Sequence, residues 1–288
     1  MLEMVIEGNR KDLGHGLMVS RMLPVATKRM IGPFVFLDHM GPAHFAPGDG
    51  IDVRPHPHIG LSTVTFLFDG EFVHRDNLGY KQPIRPGELN WMTAGNGIVH
   101  SERTDPSLKS TGSFSNGLQA WVALPEDQEE SRPTFTHVDD TDLPTTDDGA
   151  VFMRLVAGSA YGLVSPAPTL SPLFYAHADL TEGARLPMPT GHKERAAYVV
   201  SGAVSLEGEV YTSGKLLVFK AGTEPALRAV GGPARLMLLG GEPLGRRFMW
   251  WNFVSSRQER IEQAKADWLA GRMSLPVEET EFIPLPTV

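Results

Sequence analysis

The sequence predicts an all-β protein of two tandem barrels with a short C-terminal helix, and three observations carry that prediction. Short apolar or alternating runs, such as residues 61–68, 197–200 and 215–219, recur between turn residues. Thirty glycines and 23 prolines are scattered along the 288 residues instead of being gathered in one linker, the punctuation expected of many short strands. The two halves also repeat. A shift of 132 lays Arg54-Pro-His-Pro-His58 over Leu186-Pro-Met-Pro-Thr190 and Asp69-Gly70 over Ser201-Gly202. A shift of 127 then lays residues 86–92 over 213–219 and Ala94-Gly95 over Ala221-Gly222, so the second half has a loop shorter by five residues.

Taken in order, residues 1–130 form the first barrel, 131–148 a linker region, and 149–288 the second barrel with a terminal helix over 256–270. The linker lies within a stretch, from about Leu124 to Asp148, that is rich in proline, threonine and acid, a composition suited to a connection. Asp69-Gly70 is a two-residue hairpin signal, because both turn positions favour positive φ, and Ser201-Gly202 and Glu207-Gly208 are weaker versions. In the helix, Ser256-Arg-Gln-Glu259 has the form of a capping box. Ile261, Ala264, Trp268 and Leu269 follow at helical spacing, and Gly271 and Pro276 end the pattern.

Composition narrows the function. Cysteine is absent, which excludes disulfides, thiolate zinc sites and cysteine nucleophiles. The formal charge is -8 and the pI about 5.7, with no cluster of lysine and arginine, so direct binding to nucleic acid is not expected. No run approaches the roughly 20 apolar residues of a membrane-spanning helix. The first nine residues lack a basic segment followed by an apolar one, so the expected location is the cytoplasm.

Four residues carry the chemistry. In a strand, residues two apart share a face, so His56-Pro-His58 and His100-Ser-Glu102 each present two donors on one side of a sheet. The separation of 42 positions from His58 to His100 suffices for several strands to bring the pairs together. Three imidazoles and one carboxylate suit one borderline divalent ion, Fe(II), Mn(II), Ni(II), Cu(II) or Zn(II). In an octahedral site they leave two positions open, as a catalytic centre requires. The repeat places Met188, Thr190, Leu227 and Ala229 at the matching positions, so all four donors are missing together from the second half. One working site and one vacant copy is the simplest account.

Other histidines are expected to do less. His39 follows Asp38 and is assigned a structural or surface role, while His74 is placed at a strand end with its neighbours in an ion pair. His15, His44, His137, His177 and His192 are background. Gly95-Asn-Gly97 begins like a dinucleotide loop, but His100 stands where the third glycine belongs. It reads as a tight turn that delivers His100.

Arg54-Pro-His-Pro-His-Ile-Gly60, His74-Arg-Asp76, the stretch from Gly87 through Trp91-Met-Thr-Ala-Gly-Asn-Gly-Ile-Val-His-Ser-Glu102, and Gly240-Gly-Glu-Pro-Leu244 resemble the pirin family. The resemblance implies two cupin (jelly-roll) barrels and a mononuclear iron site on His56, His58, His100 and Glu102. For bacterial members it implies quercetin 2,3-dioxygenase activity, with a small aromatic substrate and dioxygen as partners and release of carbon monoxide. For mammalian members it implies an iron-dependent, redox-sensitive binding protein that co-regulates transcription factors. Gly245-Arg-Arg247 and Trp250-Trp-Asn-Phe-Val254 depart from the family pattern. In the dioxygenase, Glu102 is both ligand and the base that takes a substrate hydroxyl proton, and Phe36, Phe66 and Trp91 line an apolar pocket. A cupin isomerase or hydrolase using zinc shares the ligands, but no dedicated acid–base pair serves it.

Overall fold

A computed structural model describes residues 1–12 and 18–287. In chain order the first strands are β1 (Leu2–Glu7), β2 (Asn9–Asp12), β3 (Met18–Leu23), β4 (Phe34–Phe45) and β5 (Asp52–His58). Then come β6 (Leu61–Asp69), β7 (Phe72–Asp76), β8 (Lys81–Ile84), β9 (Leu89–Thr93) and β10 (Ile98–Arg103), followed by helix α1 (Pro106–Thr111). The middle of the chain holds β11 (Ser113–Ala123), β12 (Thr134–Val138), β13 (Thr145–Asp147), β14 (Val151–Ala160) and β15 (Leu163–Val164). β16 (Leu173–Leu180), β17 (Arg185–Pro187), β18 (Glu194–Ser201), β19 (Ala203–Leu206) and β20 (Glu209–Thr212) come next. The last elements are β21 (Lys215–Phe219), β22 (Ala226–Ala229), β23 (Ala234–Gly241), β24 (Phe248–Trp250), β25 (Phe253–Ser255) and helix α2 (Gln258–Leu269).

The strands form two barrels of one design. In the first, a four-stranded sheet β5-β10-β7-β8 is matched with a sheet ordered β12-β9-β6-β11-β4-β3-β2. In the second, the order β17-β22-β19-β20 is matched with β1-β21-β18-β23-β16-β14-β13. β5 to β11 therefore correspond one for one with β17 to β23, as the shifted repeat predicts.

The edge strands break the sequence-based boundaries. The strand that pairs with β21 comes from the N-terminus, β1, and the strand in the same place beside β9 is β12. The chain divides into one compact unit of residues 1–10, 20–36 and 141–243, and another of 11–19, 37–140 and 244–288. The terminal helix thus belongs with the first barrel instead of the second. The presumed linker is also not irregular, since it contributes β12 to the first barrel and β13 to the second. Backbone groups must be paired wherever they are buried; the first barrel's edge strand β12 follows its own repeat directly, whereas the second barrel's, β1, comes from the other end of the sequence.

Turn signals resolve differently from their apparent strength. Asp69-Gly70 and Ser201-Gly202 join strands that lie in different sheets, so they are barrel corners and not hairpins. Gly70 has φ +88°, and a Cβ there would meet Phe114 O at 2.2 Å. Glu207-Gly208 is the true two-residue hairpin, with Leu206 opposite Glu209 and both turn residues at positive φ. The capping box is not formed: Arg257 is the N-cap with no side-chain bond. Ser256 instead gives its N–H and its hydroxyl to the carboxylate of Glu129. Glu129 also accepts from Ser255 Oγ at 2.9 Å and pairs with Arg247 Nε at 3.0 Å, both ionic side chains being almost wholly buried. At the other end Gly271 N bonds Trp268 O and Arg272 N bonds Asp267 O, a Schellman closure with Gly271 at φ +65°. Ile261, Ala264 and Trp268 pack against Ile59, Val99 and Phe253.

Candidate metal centre

β5 and β10 run antiparallel with His56 opposite His100 and His58 opposite Ile98. Between His100 and Glu102 the register shifts, and Glu102 faces Val53. Arg54 and Pro55 therefore oppose Ser101 alone, a bulge on β5 that re-aims the side chains beside it. Proline suits this place because it has no N–H to lose from the ladder. The ring centroids of His56 and His100 are 4.4 Å apart, and His58 lies 5.0 Å from each. One nitrogen from each of the three comes within 4.8 Å of the others, all three residues being buried. The Glu102 carboxylate falls outside that set.

The hydrogen bonds select the free nitrogens. His56 Nδ1 lies 2.9 Å from the carbonyl of Arg54 and His58 Nδ1 lies 3.1 Å from that of Asn252. A carbonyl accepts only, so both Nδ1 atoms carry the proton and both Nε2 atoms keep a lone pair. His100 Nε2 is buried with no hydrogen-bond partner. Burial pushes His56 down to about 4, despite its bond to Arg54. Burial and the neighbouring imidazoles hold His58 and His100 well below the ordinary histidine value. The triad is therefore neutral at pH 7, the state in which imidazole binds a metal ion. A buried nitrogen without a partner beside two neutral imidazoles fits a divalent cation chemically.

The inner face of the larger sheet closes the site in two rows. Trp121, Thr63, Met92 and Phe135 are successive cross-strand partners, with Trp121 edge-on to His58 at 5.1 Å. The next row is Gln119, Thr65, Asn90 and His137. Gln119 Nε2 donates to Glu102 Oε1 at 3.3 Å, and Thr65 Oγ1 donates to Gln119 Oε1 at 2.7 Å. Burial raises Glu102 to about 7, only partly offset by the Gln119 bond. Phe66 and Trp91, expected to line the pocket, alternate onto the other face of the sheet, opposite Leu118 and Val64 respectively. Phe36 falls in the other compact unit, under the guanidinium of Arg21.

His74 also differs from expectation. It lies inside β7, buried, with Nε2 2.9 Å from Asp76 Oδ2 and Nδ1 3.3 Å from His100 Nδ1. Phe135 stacks on its ring at 4.4 Å. His39 is buried and bonded to Asn116 at 2.8 Å, a structural role. His137 lies 3.8 Å from Glu88 and 3.4 Å from the exposed Asp139, at the rim of the polar row. His15 lies outside the described residues. The carbonyl of Asn252 had no signal in the sequence, since every residue carries one.

In the second barrel Met188, Leu227 and Ala229 are buried in a core of Leu186, Phe174 and Leu217 and their neighbours, and Thr190 is exposed. Leu227 faces Leu186, two residues from the expected Met188. The copy is filled with side chains where the first barrel keeps imidazoles.

Two cupin barrels, one bearing a histidine triad and the other an apolar core at the matching place, define a bicupin. The chain belongs to the pirin family: the Pirin profile matches residues 16–122 and the Pirin C-terminal cupin domain matches residues 175–274. A pirin-like protein of Caulobacter vibrioides is 51% identical over 290 residues, covering 99% of this chain and all of that protein. A Pseudomonas aeruginosa protein named provisionally as a quercetin 2,3-dioxygenase is 39% identical, over 90% of this chain and 81% of its own. The crystal structure of a quercetin 2,3-dioxygenase from Acinetobacter baumannii superposes with a TM-score of 0.90 at 31% identity, covering 99% of this chain and 95% of that one.

Proposed function

We propose that this protein is a metal-dependent dioxygenase acting on a flavonol-like substrate, with one divalent ion held by His56, His58, His100 and Glu102. The observation that carries the reading is the convergence of three neutral imidazoles, of which His100 has a buried Nε2 without a hydrogen-bond partner. Iron(II) is the proposed ion; manganese, nickel, copper and zinc are accepted by the same donors. When bound, the ion would polarise a coordinated hydroxyl oxygen and supply a redox-active centre for dioxygen.

The protein's own residues do the rest. Burial raises the Glu102 carboxyl to about 7 in the metal-free protein; a bound cation would keep it ionised, and as a carboxylate Glu102 takes the proton of the substrate hydroxyl. Gln119 holds Oε1 of that carboxylate, and Thr65 fixes the Gln119 amide so that its N–H points at Glu102. Trp121 and Phe135 give the substrate ring an apolar wall that excludes water. One flavonol and one dioxygen yield one ring-opened ester and one carbon monoxide.

The test is quercetin loss with matched oxygen uptake and carbon monoxide release, using protein loaded anaerobically with iron. Equal stoichiometry over many turnovers, abolished in His56→Ala/His58→Ala loaded identically, is the expected result. Protein that holds metal yet turns over no flavonol would be a metal-dependent binding protein instead.

A further inference from the structure

The three imidazoles of the candidate centre do not hold their protons in the same way. His56 and His58 each give Nδ1–H to a backbone carbonyl, which leaves no choice of tautomer. His100 Nδ1 instead faces His74 Nδ1 at 3.3 Å, and either nitrogen of such a pair can be the donor. The order must be set further out. His74 Nε2 lies 2.9 Å from Asp76 Oδ2, whose side chain is wholly buried. A carboxylate accepts only, so His74 carries its proton on Nε2 and turns a lone pair on Nδ1 towards His100. His100 then donates from Nδ1, and its buried Nε2 keeps the lone pair.

We propose that Asp76 and His74 are positioning residues that fix the tautomer of His100 and raise the donor strength of its Nε2 towards a divalent cation. This inference rests on the metal reading of the triad. The chain Asp76–His74–His100 puts a full carboxylate charge two rings away from the ligand nitrogen, whereas His56 and His58 have only neutral carbonyls behind them. Phe135, stacked on His74 at an interplanar angle of 16°, holds the middle ring in plane. The sheet register supports the arrangement, with Asp76 opposite His100 and His74 opposite Glu102.

Asp76→Asn is the sharp variant. Asp76 Oδ1 accepts from the N–H groups of Leu78 and Tyr80 at 2.9 and 3.1 Å, and these two donors pin the carboxamide oxygen in the same place. The amide NH2 must then face His74 Nε2, which becomes an acceptor and moves the proton to Nδ1. That proton points at His100 Nδ1, and His100 is driven to carry its own proton on Nε2, against the metal. Long-range proton–nitrogen NMR of metal-free protein reads the tautomers directly, and Co(II) titration with visible spectra reads affinity and ligand field. The expected result is a reversed His100 tautomer, Co(II) affinity lower by about 10–100-fold, a changed Co(II) spectrum and an unchanged thermal midpoint without metal. If Asp76→Asn does not fold, His74→Phe keeps a ring against Phe135 while removing the acceptor, and the same loss of affinity is expected. Wild-type protein that binds Co(II), beside a folded variant with the same tautomer, affinity and spectrum, overturns the inference. Wild-type protein that binds no Co(II) overturns the metal reading itself, and the two failures differ in which protein shows them.

Discussion

At the scale of single residues, the site is a set of proton positions as much as a set of side chains. Spacing by two made His56, His58, His100 and Glu102 legible, because alternation along a strand is a property of the sequence alone. The partners that assign their protons were not legible. His74-Arg-Asp76 looks like a surface ion pair, and only the register against β10 shows that its ends turn inwards. Glu102→Gln keeps the shape and the Gln119 contact but cannot take a proton. Its kcat/KM on a flavonol is expected to fall by about 10²–10⁴-fold. In metal-free wild-type protein the Glu102 carboxyl is expected to titrate near 7, which carboxyl-carbon NMR from pH 5 to 9 checks, and that transition should be missing in the variant. Gln119→Leu removes the bond that steadies the carboxylate, and burial then acts on Glu102 unopposed. In metal-free protein the Glu102 carboxyl of this variant is expected to titrate at higher pH than in the wild type.

At the scale of elements, the segment after β23 builds the first barrel's site from a distance. Val254 N bonds Ile59 O and the Asn252 carbonyl orients His58. This close approach needs Gly60, which has φ +66° and where a Cβ would sit 2.0 Å from Val254 O. Gly60→Ala is expected to cost at least about 1–2 kcal/mol from the left-handed backbone. It should also weaken metal binding by displacing the carbonyl behind His58, and paired thermal melts and Co(II) titrations measure the two effects. Glu129 anchors the same segment through Arg247, Ser255 and Ser256. Removing one partner of a buried ion pair leaves the other uncompensated, so Glu129→Ala is expected to lose about 3–5 kcal/mol in denaturant unfolding. The sequence offered a capping serine at residue 256, but a buried carboxylate, which draws in every donor within reach, outcompetes a helix end that water can satisfy. Likewise Asp69-Gly70 carries the stronger hairpin composition, yet it turns a corner because β6 finds its partners in β9 and β11. Local turn chemistry specifies a bend and leaves the pairing to longer-range contacts.

At the scale of the whole molecule, the duplicated barrel and its vacant copy were legible because duplication is a comparison of the chain with itself. The recruitment of β1 by the second barrel was not, since a strand carries no mark of which distant edge it will join. Acidity acts on the metal-free protein through opposing groups. His56, His58 and His100 have folded-state pKa values below their unfolded ones, so the unfolded chain takes up protons first as pH falls. Stability is then lost below about 6.5, with His56 costing about 3 kcal/mol by pH 4. Glu102, raised to about 7, works the other way, its contribution present at low pH and lost as pH rises through 7. Three imidazoles against one carboxyl predict a net fall in the thermal midpoint from pH 7 to 4. Added metal should raise that midpoint at pH 7 and lose its effect by pH 5, as protons displace it. The return of residues 244–288 to the first barrel also sets an order on biosynthesis. The carbonyl that orients His58 is 194 residues further along the chain, and Ile283, whose N–H bonds Pro55 beside the ligands, comes later still. A nascent chain that already holds the whole histidine motif therefore still lacks the carbonyl that orients His58. On the metal reading, loading is therefore expected to wait until synthesis has passed Ile283, and the choice of ion falls after the second barrel has been made.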